Sequence, residues 1–353
     1  MKLLDLGERN IITNILKPRY SVSNSYFGND CSIINNYKFK KKDLFVITTD
    51  PCPEPMAKQI GFDNLYYYGG LLATINLSDI ASSGAKPLAL LTSIILPNNT
   101  TVESFNNLLD GIDNCCKENK TMVIGGNIKE GKEINISATA IGVCNRKYLL
   151  SRKGSDIDDD IIIIGDLGLF WAGVLALKYK IELDEKQKSI LLQNILTPKA
   201  KVKISQKLAK KKLIKCCMDN SDGLYPSFLQ LADDNKQCYQ INLDNIEYSP
   251  EVKYVSEKLS ILKQRMAIGW GDWQLIVSAN PKKFNDIVEI CRQNSVSVYK
   301  VGKVIKGNGV LLEYDGKIGR MIPLDSQRFT NDSWFTSGID SYINSLIKDP
   351  LIL

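Results

Sequence analysis

Segments of strand length, apolar throughout or alternating, are interleaved with amphipathic segments of helical length along the whole chain. This interleaving constrains the fold more than any single motif. Residues 8–17 read as an amphipathic helix, with Ile11, Ile12, Ile15 and Leu16 on one side, and 31–34 as a short strand. Residues 43–49 read as a longer strand, and the proline-rich stretch after it must extend or turn. Residues 65–83 read as a helix that Gly84 ends and Pro87 keeps from restarting. A strongly apolar strand follows at 88–96 and a helix at 102–118. Strands at 121–124 and 134–143 flank an expected turn at Gly125-Gly126. Residues 161–164 read as a buried strand, with helices at 170–179 and 184–196 beyond it. Strands and helices mixed in both halves predict an α/β or α+β fold. The length, 353 residues, suits two domains, and a junction near Asn145 divides the chain into 1–146 and 147–353.

Histidine is absent, which excludes a Ser-His-Asp or Cys-His nucleophile and any histidine metal site. Acid–base work falls to Asp, Glu, Lys, Tyr or Cys. The nine cysteines include two adjacent pairs and no Cys-x-x-Cys, so they read as reduced core residues. The net charge of +6 is spread over lysines at 38–42, 207–215 and 300–306 with few aromatics. That pattern is a solvated surface, with no nucleic acid expected as partner, and it is compatible with a small anionic substrate. No apolar run is long enough to span a bilayer, and the opening residues lack a signal-peptide core. A cytoplasmic location without membrane contact is expected.

Several aspartates sit in apolar settings. Asp50 ends the 43–49 strand, Asp79 lies within an apolar helix, Asp219 and Asp222 bracket Asn220-Ser221, and Asp30 follows Gly28-Asn29. Each of the others also suits a turn or a helix cap. Asp79 is different, because a mid-helix carboxylate among apolar neighbours needs a partner or a metal. Together they suggest oxygen ligands for magnesium, and phosphoryl transfer needs positioning and charge neutralisation more than a covalent nucleophile. There is no Walker-type or Gly-x-Gly-x-x-Gly loop. Gly125-Gly126-Asn127 could bring backbone close to a phosphate or simply form a hairpin turn.

These motifs, in their order, resemble thiamine-monophosphate kinase and, more broadly, the aminoimidazole-ribonucleotide-synthetase superfamily, with selenophosphate synthetase and the hydrogenase-maturation carbamoyl dehydratase. The resemblance is carried by Leu6-Gly7-Glu8, Gly28-Asn29-Asp30-Cys31, Thr48-Thr49-Asp50, Asn76-Leu77-Ser78-Asp79-Ile80-Ala81 with Gly84-Ala85-Lys86-Pro87, and Gly125-Gly126-Asn127. It continues in Leu150-Ser151-Arg152-Lys153-Gly154, Asp219-Asn220-Ser221-Asp222-Gly223-Leu224 and Gly269-Trp270-Gly271-Asp272-Trp273-Gln274-Leu275. It implies a two-domain fold whose N-terminal domain joins a second copy in a shared β-barrel, a homodimer, with ATP and Mg2+ nearby. It further implies Asp30, Thr49, Asp50, Asp79, Asp219 and Asp222 as metal-site residues. Gly126, Asn127, Arg152 and Ser221 become nucleotide contacts, and Asp222 and Asp272 candidates to orient the acceptor.

The departures bear on the acceptor. Asn29 and Asn127 replace acidic residues, the 53–58 stretch has no histidine, and Gly271 stands where the kinase carries a substrate-binding glutamate. Trp270, Trp273 and Trp334 could line a more aromatic pocket with Asp272, or pack in the core. The leading expectation is ATP- and magnesium-dependent phosphorylation of a small molecule other than thiamine monophosphate. The alternatives are a genuine thiamine-monophosphate kinase, an ATP-dependent synthetase releasing ADP and phosphate (with Cys52 as a conceivable covalent participant), and a non-catalytic nucleotide-binding protein.

Overall fold

The computed structural model describes residues 1–3, 5–6, 11–20, 40–322, 324 and 338–352. The chain folds as two units, Met1–Leu149 and Leu150–Leu353.

In the first unit, β1 (Asp43–Pro51), β2 (Lys86–Leu96), β3 (Val123–Glu130) and β4 (Asn135–Asn145) form a four-stranded sheet in the order β1-β4-β2-β3. Helix α1 (Leu65–Ser82) links β1 to β2. Helix α2 (Val102–Glu118) carries the chain from β2 to β3, the one parallel pair, which requires such a crossover. Asn64 and Thr101 cap the two helices by accepting the amides of Tyr66 and Ser104. Gly84, in the left-handed region at φ 69°, ends α1 as its motif predicts. The helices touch backbone to backbone: a Cβ on Gly69 would lie 2.0 Å from the Leu108 carbonyl oxygen, and one on Gly111 2.0 Å from that of Tyr66. Leu72, Leu77, Ile80, Leu90, Phe105 and Leu108 are buried in the core of this unit.

Two expectations are corrected here. Gly125-Gly126 is not a turn but lies inside β3, where a Cβ on Gly126 would come within 2.1 Å of the Thr92 carbonyl oxygen on β2. The glycine serves close strand approach, and the β2–β3 register slips beside it, between Leu90 and Leu91. The expected 8–17 helix is, among the described residues, a π-helix at Ile12–Leu16 running into α-helix at Lys17–Tyr20. The 31–34 strand lies outside the described residues. The sheet is also open, and no closed barrel forms among the described residues.

In the second unit, β5 (Asp160–Ile164), β6 (Cys216–Asp219), β7 (Cys238–Asn242), β8 (Leu275–Ala279), β9 (Val298–Ile305), β10 (Gly309–Tyr314) and β11 (Lys317–Arg320) form a seven-stranded sheet in the order β11-β10-β7-β9-β5-β8-β6. The helices are α3 (Leu169–Lys178), α4 (Glu185–Leu196), α5 (Val202–Lys210), α6 (Leu224–Asn235), α7 (Pro250–Leu259), α8 (Lys263–Ile268), α9 (Phe284–Arg292) and α10 (Ile339–Lys348). Every residue of β5 is buried, which is why the strand reads as an unbroken apolar run after its first residue. Asp184 and Gln187 make a capping box at the start of α4. Arg265, itself buried, donates to the carbonyl oxygens of Leu346 at 2.7 Å and of Ser345 and Pro350, closing the end of α10. Among the described residues no helix is long and apolar enough to cross a membrane.

Candidate functional site

In the first unit, the end of β1 runs beside one face of α1. Residues two apart on a strand share a face, so Thr48 and Asp50 point the same way and Thr49 the other. The Thr48 hydroxyl donates to the Asp79 carboxylate at 2.6 Å. One turn earlier on α1, the Asn76 side-chain oxygen accepts the Asp50 amide at 3.2 Å, while its Nδ2 donates to the Leu72 carbonyl oxygen at 3.0 Å. Asn76 is fully buried, and Asp50 and Asp79 are half-buried. The mid-helix Asp79 thus has the partner that burial demands, and among the described residues its second oxygen accepts no hydrogen bond.

Thr49 is not brought to this group. Its hydroxyl donates to the Ala138 carbonyl oxygen at 3.0 Å and accepts from Thr139 at 3.1 Å on the sheet face that α1 does not cover. Asn127 lies on that same open face, in the cross-strand row Pro51, Ser137, Ser93, Asn127. Gly126 falls in the neighbouring row with Asp50, Ala138 and Thr92. Cys52 is pushed away from reactivity: burial raises its thiol, which donates to the carbonyl oxygens of Pro53 and Tyr68.

In the second unit, β6 delivers Asp219, which is buried, into Asn220-Ser221-Asp222, and α6 starts directly after Gly223. Gly223 adopts φ 99° and packs so that a Cβ would lie 2.8 Å from the Ile268 carbonyl oxygen. Asn220 is fully buried and its amide donates to the Gln274 carbonyl oxygen at 2.8 Å, tying this segment to the start of β8. Ser221 is half-buried and Asp222 exposed. Arg152 is exposed, on the 151–155 segment that leads toward β5.

Asp272, expected at the acceptor, is employed elsewhere. It is buried, and its two oxygens accept the amides of Gly168 at 2.7 Å and Phe170 at 3.3 Å, capping the start of α3. Burial pushes its carboxyl up to about 7 despite those two amides, with Asp166 raising it further and Lys201 lowering it. Trp270 packs in an aromatic cluster, with ring centroids 5.3 Å from Phe170, 5.2 Å from Trp171 and 6.0 Å from Tyr342. Its carbonyl oxygen accepts the Trp171 indole N–H at 2.7 Å. Gly271 adopts φ 105°, and a Cβ there would meet the Phe170 ring at 2.9 Å. Asp30 and Trp334 lie outside the described residues.

Among the described residues, no three of His, Cys, Asp and Glu gather at metal-holding spacing. Magnesium does not require three, because it is commonly held by one or two carboxylates with phosphate oxygens and water. The hard oxygen donors of Asp50 and Asp79, steadied by Asn76 and Thr48, fit that habit. Asn76 and Thr48 are positioning residues that the motif reading passed over. Strict alternation along β1 was the signal that separates Thr48 from Thr49.

Residues 28–144 match the N-terminal domain of the AIR synthase related protein family, and residues 156–315 match its C-terminal domain. A thiamine-monophosphate kinase of Methanocaldococcus jannaschii is 30% identical over 321 residues, covering 85% of this chain and 94% of that protein. The AaThiL complex with AMPPCP and TMP superposes with a TM-score of 0.69 at 26% identity, covering 92% of this chain and 97% of the other. The hydrogenase maturation protein HypE in complex with ATP shares the fold, with a TM-score of 0.72 at 16% identity over 90% of this chain and 96% of the other. The chain is a thiamine-monophosphate-kinase-like member of the AIR synthase related protein family.

Proposed function

We propose that this protein transfers a phosphoryl group from ATP, with magnesium, to a small-molecule acceptor. The observation that carries the reading is the paired anchoring of Asp50 and Asp79, through Asn76 and Thr48, at the end of β1. Magnesium, when bound, would neutralise phosphate charge and favour in-line displacement. Asp50 and Asp79 would hold it in the first unit, with Asp30 the further carboxylate of that unit's motifs. Asp219 and Asp222 are candidate carboxylates of the second unit, and Thr49, bonded on the opposite sheet face, takes no part. In the first unit Gly126 presents backbone without a side chain and Asn127 is a candidate nucleotide contact. In the second unit Ser221 is a candidate contact in its own right, and the exposed Arg152 has a fork suited to phosphate oxygens. Asp222 would orient the acceptor, and Asp272 would act as a positioning residue through α3.

The aromatic cluster supports an acceptor other than thiamine monophosphate, since the Phe170 ring fills the volume a side chain at position 271 would need. A second reading, phosphorylation of thiamine monophosphate itself, is favoured by the identity to the Methanocaldococcus jannaschii kinase. We also infer that the open face of the four-stranded sheet meets a second copy. Phe45 and Ile47 stand there 52% and 64% exposed, paired across the strands with Val143 and Ile141.

The test is a magnesium-dependent assay of the purified protein with thiamine monophosphate and a panel of small metabolites, reading ADP and phosphate separately. ADP without free phosphate, with one acceptor only, establishes a kinase and names its substrate. ADP matched by phosphate establishes an ATP-dependent synthetase instead. Asp79→Asn, which keeps the shape and an acceptor for Thr48, is expected to lower turnover by roughly 100-fold, on the order of 3 kcal/mol. Failure of the unaltered protein to bind ATP with magnesium ends this reading.

A further inference from the structure

One side chain makes three hydrogen bonds to the backbone of the 151–155 segment, beside the Cys217 amide on the Ser151 carbonyl oxygen and the Ser151 hydroxyl's bonds to Lys153. Asn235, the last residue of α6, donates through Nδ2 to the Arg152 carbonyl oxygen at 2.9 Å and to the Leu231 carbonyl oxygen at 2.8 Å. Its Oδ1 accepts the amides of Gly154 at 2.8 Å and Ser155 at 3.2 Å. Two donors and two acceptor sites are all that a carboxamide has, so Asn235 is fully used and can sit in only one orientation. Three of its four bonds fix backbone within three residues of Arg152. Gly154, at φ 124°, supplies the bend that brings both amides to one oxygen. The Arg152 guanidinium itself is exposed, so the restraint acts on the main chain and leaves the charged end available.

Asn235 is also placed by the other candidate segment. Helix α6 begins directly after Asp219-Asn220-Ser221-Asp222-Gly223 and ends at Asn235, 12 residues or roughly 18 Å later. One helix therefore sets the distance between the aspartate segment and the arginine segment. A second strut lies further along: the Ser155 hydroxyl donates to Gln237 Oε1 at 2.6 Å and accepts from the Tyr239 hydroxyl at 3.0 Å. That strut keeps Ser155 in place when Asn235 is changed, so loss of Asn235 loosens Arg152 without releasing the whole segment.

We propose that Asn235 is a positioning residue that presents Arg152 to the nucleotide phosphates, an inference that rests on the ATP reading above. An exposed arginine on a loose segment would have to be ordered each time nucleotide binds, and the carboxamide has that order in place beforehand.

The experiment is a double-mutant cycle on the full chain, with AMPPCP and magnesium as probe, calorimetric affinity as readout and melting temperature recorded for every variant. Asn235→Ala and Arg152→Ala are each expected to weaken binding about tenfold, and Asn235→Ala to add less than about twofold on the Arg152→Ala background. Asn235→Asp, of the same shape, keeps the acceptor for Gly154 and Ser155 but sets a carboxylate oxygen against the Arg152 carbonyl, so it too weakens binding. It carries the test if Asn235→Ala does not fold. A purely structural role would lower the melting temperature and leave the affinity of the folded protein unchanged, which overturns the proposal. Additive losses in the double variant overturn it as well. Binding in the wild type with no loss in Arg152→Ala overturns the nucleotide role of Arg152 and the inference with it. Absence of binding in the wild type is instead the failure of the ATP reading.

Discussion

At the scale of the residue, the expected site side chains differ in what their neighbours leave them free to do. Asp79 could be singled out from its apolar helix alone, because a carboxylate there must be satisfied, and the Thr48 hydroxyl at 2.6 Å satisfies it. Asp272 was expected to orient the acceptor, yet it is buried beneath the start of α3 and occupied by the amides of Gly168 and Phe170. No local pattern reveals that, since its partners lie about a hundred residues earlier in the chain. The consequence is a pH dependence. Burial raises the folded-state carboxyl to about 7, whereas in the unfolded chain it loses its proton near pH 4. The folded protein therefore holds an extra proton between those values. The stability this gives is complete below about pH 4 and is lost as pH rises to about 7. Asp272→Asn, which cannot titrate, is expected to flatten the fall of melting temperature between pH 5 and 7.5. Identical slopes in the two proteins would mean that another group is responsible.

At the scale of the element, most of the helices and strands were legible, because burial on one face leaves its period in the sequence. Helix α4 starts at its Asp184 capping box and α1 stops at Gly84 as the local chemistry requires. The misread glycines show the limit. Gly125-Gly126 has the composition of a turn, and only the presence of β2 alongside, with the Thr92 carbonyl oxygen 2.1 Å from where a Cβ would stand, makes it strand. Gly69 and Gly111 are the helical counterpart. Glycine inside a helix normally weakens it, but here each admits the other helix's backbone. Gly111→Ala places its methyl group 2.0 Å from the Tyr66 carbonyl oxygen, so α1 and α2 must separate. A destabilisation of about 2–3 kcal/mol is expected from denaturant unfolding, where a helix-propensity argument predicts a gain. A stabilised variant would show that the helices have slack the structure does not display.

At the scale of the whole molecule, the open sheet face is the feature that a single chain leaves unexplained. Phe45 and Ile47 are β-branched or aromatic and point to solvent, on a strand whose other face is packed. If that face joins a second copy, Ile47→Lys should turn a concentration-dependent dimer into a monomer in sedimentation measurements while leaving far-ultraviolet circular dichroism unchanged. A wild-type protein that is monomeric at all concentrations would remove the interface. The sequence by itself determined the mixed α/β class of fold and the exclusion of histidine chemistry, since these follow from periods of 2 and 3.6 and from residue type. The tertiary structure decided which face of β1 meets Asn76 and Asp79 of α1, which aspartate is a cap, and which asparagine holds the Arg152 segment. Those depend on groups brought together from distant parts of the chain, and a local pattern carries no record of what will be folded against it.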